Sequence, residues 1–174
     1  VGGAYQAPAL LVIDAYAVQG GQVGIAPHAI ALQAIDQTEL VLVGDGEINE
    51  GPIWEGALFA AHRQMKNFMV IVDENGFQAM GSTQEVLDLG SIQAKFESFG
   101  FSGLSVDGHN EAEIDQAIRA LWAKDAEKPK VLVARTIKGK GVPFMEHDNR
   151  WHYTRLNAET HAAALSAVMG GSAP

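Results

Sequence analysis

No cysteine occurs in this sequence, and basic residues are few. Without cysteine, disulfides, zinc-thiolate sites and thiol nucleophiles are excluded together; the composition is compatible with a reducing cytoplasm, where we expect the protein to act. The sequence has 12 Lys and Arg against 21 Asp and Glu, which gives a formal net charge of -9. Because phosphate neutralisation needs clustered Lys and Arg, we expect no nucleic-acid partner.

Long apolar runs are also missing. A membrane-spanning helix needs about 20 predominantly apolar residues, and runs such as 68–72 are far shorter, so we expect no membrane association. The first residue is Val1 rather than Met, which indicates a chain that begins inside a longer gene product or has lost residues at its start. The 47% hydrophobic and 19% charged contents over 174 residues are ordinary for one globular domain.

Strand and helix patterns alternate along the chain. Short apolar runs predict buried strands at 40–43, 68–72, 103–106 and 131–134. Helical spacing of apolar residues predicts helices at 8–18, 26–35, 50–65, 92–99, 111–124 and 158–169, and the segments 73–90 and 137–156 are predicted as loops. Alternation of this kind favours a parallel sheet with right-handed crossovers. We therefore predict one α/β domain over 1–174, with a doubly wound, mostly parallel sheet in three α/β/α layers.

Polar residues beside glycine follow two of the predicted strands. Asp45 lies between two glycines directly after the strand at 40–43, and Asn75 lies shortly after the strand at 68–72. Ligands of open α/β sheets collect beyond the carboxyl ends of the strands, so we expect the two side chains to lie close together. Mg²⁺ prefers oxygen ligands and often shares phosphate oxygens. The pattern therefore predicts a site for a divalent cation and a diphosphate, near the N-terminal end of the helix that starts at Glu50.

Each half of this pattern also has a simpler interpretation. Asp-Gly after a strand is most often only a turn, and Asn-Gly is among the commonest turn dipeptides. The pairing of the two motifs in matching strand contexts is what favours a functional site. The sequence contains neither a Walker loop nor a G-x-G-x-x-G fingerprint, so the site is not one of the two common glycine-rich nucleotide motifs.

The residues around these motifs resemble the signature of thiamine-diphosphate-dependent enzymes. Gly44-Asp45-Gly46 paired with Asn75 carries the general resemblance. Longer stretches make the chain similar to the amino-terminal subunit of split transketolases, namely 44–62, 72–78, 135–141, 144–146 and Trp151-His152. The resemblance extends from residue 40 to about residue 165. It implies the thiamine-diphosphate-binding fold of the diphosphate-binding (PP) type.

The resemblance implies a set of binding residues. Mg²⁺ would be held by Asp45, Asn75 and the main-chain carbonyl of Phe77. The residues implied to contact thiamine diphosphate are these three together with Gly44, Gly46, Glu47 and Lys138. Lys138 could equally be a solvated loop charge.

Two residues are implied to be catalytic. His152 matches a substrate-facing histidine, suited to donate a hydrogen bond to a sugar hydroxyl or carbonyl oxygen; packing beside Trp151 is the alternative. Glu50 matches an acid near the dimer interface that joins a proton path between two active sites, and a plain charge at a helix N-terminus is its alternative. His109 matches a family motif that we interpret as structural.

The implied activity is transfer of a two-carbon ketol unit between a ketose-type donor and an aldehyde-type acceptor. In this class the glutamate that activates the cofactor lies on a pyrimidine-binding domain, and no such domain is visible here. The resemblance therefore implies a separate pyrimidine-binding partner subunit, in an α2β2 hetero-oligomer. Two alternatives stay open: the first component of a 2-oxo-acid dehydrogenase, against which 135–141 and 151–152 argue, and a non-catalytic structural or regulatory subunit.

The sequence departs from the family pattern in two regions. The segment 2–10 faintly resembles a family segment, with Tyr5 where a histidine is expected, and 20–24 stands where a glycine loop is expected. We therefore expect part of the usual amino-terminal section to be missing. Residues 153–155, Tyr-Thr-Arg, follow His152 where many relatives have Gly-Lys-Ala or similar, so we expect a different substrate pocket.

Overall fold

The computed structural model of the protein describes residues 30–33, 39–124 and 127–170. Within these residues the strands are β1 Ile30–Gln33, β2 Glu39–Gly44, β3 Phe68–Glu74, β4 Phe77–Gln78, β5 Gly81–Ser82, β6 Ser102–Asp107 and β7 Lys130–Arg135. The helices are α1 Gly51–His62, α2 Thr83–Leu87, α3 Ile92–Phe99, α4 Glu111–Lys124 and α5 Ala158–Val168. Short 3-10 turns occupy Glu47–Asn49 and Asn149–His152.

Five of the strands form one sheet in the order β1-β2-β3-β7-β6. The strands β2, β3, β7 and β6 run parallel to one another, and β1 pairs antiparallel with β2. The strands β4 and β5 form a separate short hairpin. The predicted mostly parallel sheet is confirmed, and the four parallel strands end at the same edge.

Helices cover both faces of the sheet, which gives the three predicted layers. Successive side chains of a strand point to opposite faces. In β3, Val70 and Val72 pack in one cluster with α1 and α3, whereas Met69 and Ile71 pack in a second cluster with α4. These four side chains are at most 6% exposed. An unbroken apolar strand of this kind is typical of a parallel sheet that is buried on both faces.

The helix α3 has the bounds that the sequence predicts, because both of its ends are marked by suitable residues. The Ser91 side chain accepts a hydrogen bond from the backbone N–H of Ala94 and satisfies a group that the first turn leaves free. Gly100 ends the helix at a φ of 110°, a left-handed conformation that favours glycine. Phe96 packs against Trp54 with ring centroids 5.1 Å apart, which fixes α3 against α1.

The described helices are short, and the longest is α4 with 14 residues. None of the helices in the described ranges combines the length and the apolar content needed to cross a membrane. The helix α5 begins with a reciprocal cap. The Asn157 side chain accepts from the backbone N–H of Thr160, and the Thr160 hydroxyl accepts from the backbone N–H of Asn157. Such a pair satisfies two N–H groups that the start of a helix otherwise leaves free.

Two predictions of local structure were wrong. A helix was predicted over 26–35, but Ile30–Gln33 forms the strand β1; its alanine-rich surroundings favoured a helix, whereas pairing along β2 supplies contacts that a local pattern does not contain. The segment 73–90, predicted as a loop, contains β4, β5 and α2, which are too short to show a period. The predicted helix at 8–18 and the segments 2–10 and 20–24 lie outside the described residues.

Candidate cofactor and cation site

Asp45 lies directly after β2 and against the end of β3. Its backbone N–H donates to the carbonyl of Asp73 at 3.0 Å. Its carboxylate oxygen Oδ2 accepts from the backbone N–H of Gly76 at 2.6 Å. The parallel register places Gly44 opposite Asp73, so the segments that follow the two strands meet at the carboxyl edge of the sheet. The structure thus brings Asp45 next to the segment that carries Asn75.

The carboxylate of Asp45 is buried but only half satisfied. The residue is 3% exposed, and among the described residues its Oδ1 has no hydrogen-bond partner. Burial raises the pKa of Asp45 to about 6; the negative charges of Asp73 and Glu74 also raise it, and the backbone N–H groups of Gly76 and Gly46 oppose the rise. A buried polar atom without a partner is unfavourable. This oxygen is therefore available to a cation.

Gly46 brings the turn after β2 against the strand β4. A Cβ placed on Gly46 would lie 2.7 Å from the Cβ of Gln78 and 3.3 Å from its Cα. The same point is 3.8 Å from the carbonyl oxygen of Phe77. No side chain fits at this position unless β4 moves, so glycine is needed for the close approach of this turn to β4.

Both ends of the Asn75 side-chain amide are held. Its Nδ2 donates to Oδ2 of Asp73 at 2.9 Å, and its Oδ1 accepts from the backbone N–H of Phe77 at 3.0 Å. The hydroxyl of Thr136, just after β7, donates to the other oxygen of Asp73. An amide oxygen has two lone pairs, so Oδ1 of Asn75 keeps the capacity to bind a cation.

Sequence reasoning did not assign a role to Asp73 or Thr136. The available signals were their positions: Asp73 lies two residues before Asn75, and Thr136 lies in the 135–141 stretch that carried part of the resemblance. Neither position by itself predicts a contact between them. Their hydrogen bond depends on the pairing of β3 with β7.

Unpaired buried polar atoms concentrate around this edge. In the described ranges, four buried side-chain atoms have no hydrogen-bond partner: Asp45 Oδ1, Asn49 Oδ1, Gln78 Nε2 and Asn149 Oδ1. The first two lie on the turns after β2, and Gln78 lies in β4. The side chain of Asn149 donates a hydrogen bond to the carbonyl of Ala79 at 3.5 Å, so the fourth atom lies beside the β4–β5 hairpin. Since buried polar atoms are normally paired, this edge has the chemistry of a polar ligand site.

The donor atoms at the site fit a hard cation that shares oxygens with a phosphate ligand. No group of three or more His, Asp or Glu side chains in the described part of the chain could hold a metal ion alone. The donors present are the Asp45 carboxylate, the Asn75 amide oxygen and the Phe77 carbonyl. Mg²⁺ is commonly bound by one or two carboxylates while its other positions are filled by water and phosphate oxygens.

The two glutamates near this turn are placed differently. Oε2 of Glu47 accepts from the backbone N–H of Gly44 at 2.7 Å and so closes the turn after β2. Glu50 is exposed at the start of α1, and its side chain makes no capping hydrogen bond there. Glu47 therefore shapes the loop beside Asp45, and Glu50 faces outward.

Lys138 and His152 lie side by side. The Nζ of Lys138 is 3.4 Å from Nδ1 of His152. Burial lowers the pKa of His152, and the positive charge of Lys138 lowers it further. The ring of His152 also packs edge to face against Tyr153, with centroids 4.6 Å apart. These surroundings favour a neutral imidazole at pH 7, which can donate one hydrogen bond and accept another.

The segment that carries this pair is attached to the edge of the sheet. The backbone N–H of Ile137 donates to Nε2 of His109 at 2.8 Å, which is consistent with a structural role for His109. The indole N–H of Trp151 donates to the carbonyl of Phe144 at 2.8 Å, and the two rings pack 5.1 Å apart. Trp151 thus provides the packing, and the neighbouring His152 stays accessible.

Replacing Lys138 by Met is expected to raise the pKa of His152. The substitution keeps an apolar stem but removes the positive charge 3.4 Å from Nδ1. An NMR titration of the His152 ring protons measures the change. Lys140→Met is the matched control, because Lys140 is an exposed lysine of the same loop. An equal pKa of His152 in the wild type and in Lys138→Met would contradict the assigned electrostatic effect.

The fold and this edge define a class of protein. A three-layer α/β domain with oxygen donors and close-approach glycine after two adjacent parallel strands is suited to bind the charged end of a diphosphate cofactor. Residues 27–170 match the family model described as "Transketolase, thiamine diphosphate binding domain". The chain therefore belongs to the transketolase family, and this part of it is a thiamine-diphosphate-binding domain.

Similar proteins include subunits of transketolases. The 6-deoxy-6-sulfo-D-fructose transketolase subunit SqwG of Clostridium sp. (strain MSTE9) is 37% identical over 141 residues, which are 80% of this chain and 50% of that protein. An apulose-4-phosphate transketolase subunit of Phocaeicola vulgatus is 34% identical over 140 residues, which are 80% of this chain and 50% of that protein. The chain thus spans about half the length of these relatives.

Solved transketolase structures share the fold. The crystal structure of transketolase from Campylobacter jejuni superposes with a TM-score of 0.65 at 28% sequence identity. The match covers 79% of this chain and 25% of that chain. The predicted thiamine-diphosphate-binding fold is confirmed by this likeness together with the family match.

Proposed function

We propose that this chain is the diphosphate-binding subunit of a transketolase-like enzyme that depends on thiamine diphosphate and Mg²⁺. The enzyme transfers a two-carbon ketol unit from a ketose-type donor to an aldehyde-type acceptor in the cytoplasm. The observation that carries this proposal is the buried, half-satisfied carboxylate of Asp45 next to Gly46 at the carboxyl ends of β2 and β3. Family membership favours it over a 2-oxo-acid dehydrogenase component.

The chain's own residues would bind the cofactor's charged end. Asp45, Asn75 and the Phe77 carbonyl hold the cation, and Gly46 lets the loop approach the diphosphate. The positive charge of Lys138 suits it to a diphosphate oxygen. When bound, thiamine diphosphate supplies the electron sink for breaking and forming carbon–carbon bonds. The protein's part is to hold and orient the cofactor.

His152 contacts the substrate in this proposal. Its neutral ring donates a hydrogen bond to a sugar hydroxyl or carbonyl oxygen. The names of the two relatives specify sugars with a sulfo or a phosphate group, both of which are anionic. We extend this to an anionic ketose for the present chain, with the exposed guanidinium of Arg155, three residues after His152, as a contact for that group.

The active site is shared with a separate pyrimidine-binding subunit. The two relatives are themselves named as subunits of transketolases. The helix α1 follows the exposed Glu50 and carries Leu58 and Phe59, which are 53% and 61% exposed. This surface suits an α2β2 contact in which Glu50 joins a proton path between active sites.

Calorimetric titration of thiamine diphosphate tests the proposal. We expect binding that requires Mg²⁺, disappears with a chelator and becomes tighter when the pyrimidine-binding subunit is added. Ketol transfer is expected only in the mixture of the two subunits. No cation-dependent binding in either sample would contradict the proposal, and binding without transfer in the mixture would favour a non-catalytic subunit.

A further inference from the structure

We propose that Thr136 and Asp73 are positioning residues that fix the orientation of the Asn75 side chain for cation binding. The inference rests on the proposed function, since it concerns the same cation site. Thr136 and Asp73 are not ligands in this proposal. They act through the Asn75 amide. Thr136 lies just after β7, and no cation ligand was assigned to the end of that strand.

The Asn75 amide has one end that binds a cation and one that repels it. Oδ1 carries lone pairs, whereas the NH₂ group carries only donors. In the observed orientation the NH₂ group donates to Asp73 at 2.9 Å, and Oδ1 accepts from the Phe77 N–H at 3.0 Å. If the amide were rotated by 180°, its NH₂ group would face the N–H of Phe77, and two donors would meet. Its oxygen would face the carboxylate of Asp73, and two acceptors would meet. The surroundings therefore select the orientation with Oδ1 free to reach a cation.

Asp73 is in turn held from the neighbouring strand. Its second oxygen accepts from the Thr136 hydroxyl. Thr136 is placed by strand pairing, because the register sets Glu74 opposite Arg135 and the backbone N–H of Thr136 donates to the carbonyl of Glu74 at 3.1 Å. Thr136, just after β7, thus helps to orient the side-chain amide of Asn75, just after β3. This gives a role to the 135–141 stretch.

The same contacts distinguish Asp73 from Asp45. Both carboxylate oxygens of Asp73 have a donor, one from Asn75 and one from Thr136. The carboxylate of Asp45, by contrast, keeps Oδ1 without a partner among the described residues. The unpartnered oxygen of Asp45 and the oriented amide oxygen of Asn75 are thus the atoms best placed for a cation. Losing the Thr136 hydroxyl would release Asp73 and, with it, the NH₂ group of Asn75.

Thr136→Val is the informative substitution, because it removes the hydroxyl without changing charge or strand pairing. Asp73→Asn would also remove a negative charge near Asp45 and so mix two effects. With saturating thiamine diphosphate and the partner subunit present, Mg²⁺ titration of Thr136→Val is expected to show affinity weakened about 10-fold or more, as for other residues that orient metal ligands. Activity at saturating Mg²⁺ is expected to return close to the wild-type kcat.

Two further variants separate positioning from stability. Thr136→Ser retains a hydroxyl and is expected to restore most of the Mg²⁺ affinity. Thr160→Val is the matched control, because it also removes a threonine hydroxyl that makes hydrogen bonds, but at the cap of α5. It is expected to lower Tm without changing Mg²⁺ affinity.

The outcomes distinguish this inference from the proposed function. If the wild-type complex shows no cation-dependent binding of thiamine diphosphate, the proposed function fails and this inference fails with it. If the wild type binds and Thr136→Val has the Mg²⁺ affinity of Thr160→Val, only the inference is overturned. A weaker affinity in both Thr136→Val and Thr136→Ser, with equal losses, would also overturn it, because the hydroxyl would then not be the cause.

Discussion

Asp45→Asn is expected to lose cation-dependent binding of thiamine diphosphate and, at pH 7 without cofactor, to be more stable than the wild type. The carboxylate is 3% exposed, and burial raises its pKa from 3.8 to about 6. One pKa unit corresponds to about 1.4 kcal/mol, so above pH 6 the buried charge lowers stability by about 3 kcal/mol. An asparagine has no charge to bury, and its oxygen can still accept from the N–H of Gly76.

The raised pKa of Asp45 also predicts how the difference in stability between the two proteins changes with pH. Because the pKa is higher in the folded state, folding favours the protonated form; the stability that Asp45 contributes is present below pH 3.8 and is lost as pH rises to about 6. Urea denaturation of the two proteins between pH 4 and 7 measures the difference. The stability gain of Asp45→Asn should grow with pH over this range, and a constant gain would contradict the assignment.

Cofactor binding should show the opposite dependence. A cation needs the ionised carboxylate, so the wild-type affinity for thiamine diphosphate with Mg²⁺ should fall as pH drops through about 6. Asp115→Asn is a matched control on α4, where Asp115 is paired with Arg119 on the surface. It should bind the cofactor like the wild type. Equal binding by Asp45→Asn and the wild type would remove the basis of the proposed site.

Gly46→Ala is expected to lower stability by about 1–3 kcal/mol, the usual range for overpacking, and to abolish cofactor binding. The added Cβ would lie 2.7 Å from the Cβ of Gln78, an atom next to the backbone that cannot swing away. The turn and β4 must separate, which moves the turn that carries Asp45 away from β4. Thermal denaturation and calorimetric titration measure the two effects.

Gly56→Ala is the matched control for this substitution. A Cβ on Gly56 would meet nothing within 4 Å, and the residue lies inside α1, where alanine favours the helix by about 1 kcal/mol. This variant should therefore be slightly stabilised and bind the cofactor normally. Unchanged stability and affinity in Gly46→Ala would show that the close approach of the turn to β4 is not required.

The parallel sheet could be predicted because its evidence is local. The run 68–72 contains no polar residue, and the helix at 92–99 carries its own start and stop residues, Ser91 and Gly100. The strand β1 could not be predicted, because its conformation depends on pairing with β2. The two-residue strands β4 and β5 are too short for any period to show.

Some features of the candidate site could likewise be predicted from the sequence, and others could not. The proximity of Asp45 to the segment that carries Asn75 could be predicted, because each residue follows an apolar run typical of a strand in a parallel sheet. The contact of Thr136 with Asp73 could not be predicted, since the two residues are 63 positions apart in sequence and become neighbours only when β7 pairs with β3. The need for glycine at 46 likewise depends on Gln78, which a hairpin brings into contact.

The position of β7 has a consequence for the order of folding. This strand is the last of the described strands in the sequence, yet it lies inside the sheet, between β3 and β6. During synthesis the first four strands of the described sheet emerge while β3 and β6 both lack their shared neighbour, and such non-local pairing forms slowly. The hydrogen bonds that link Asn75, Asp73 and Thr136 are complete only after residue 136 is in place. Cofactor would thus be captured only by chains whose sheet is complete, and its binding would protect those chains selectively from degradation.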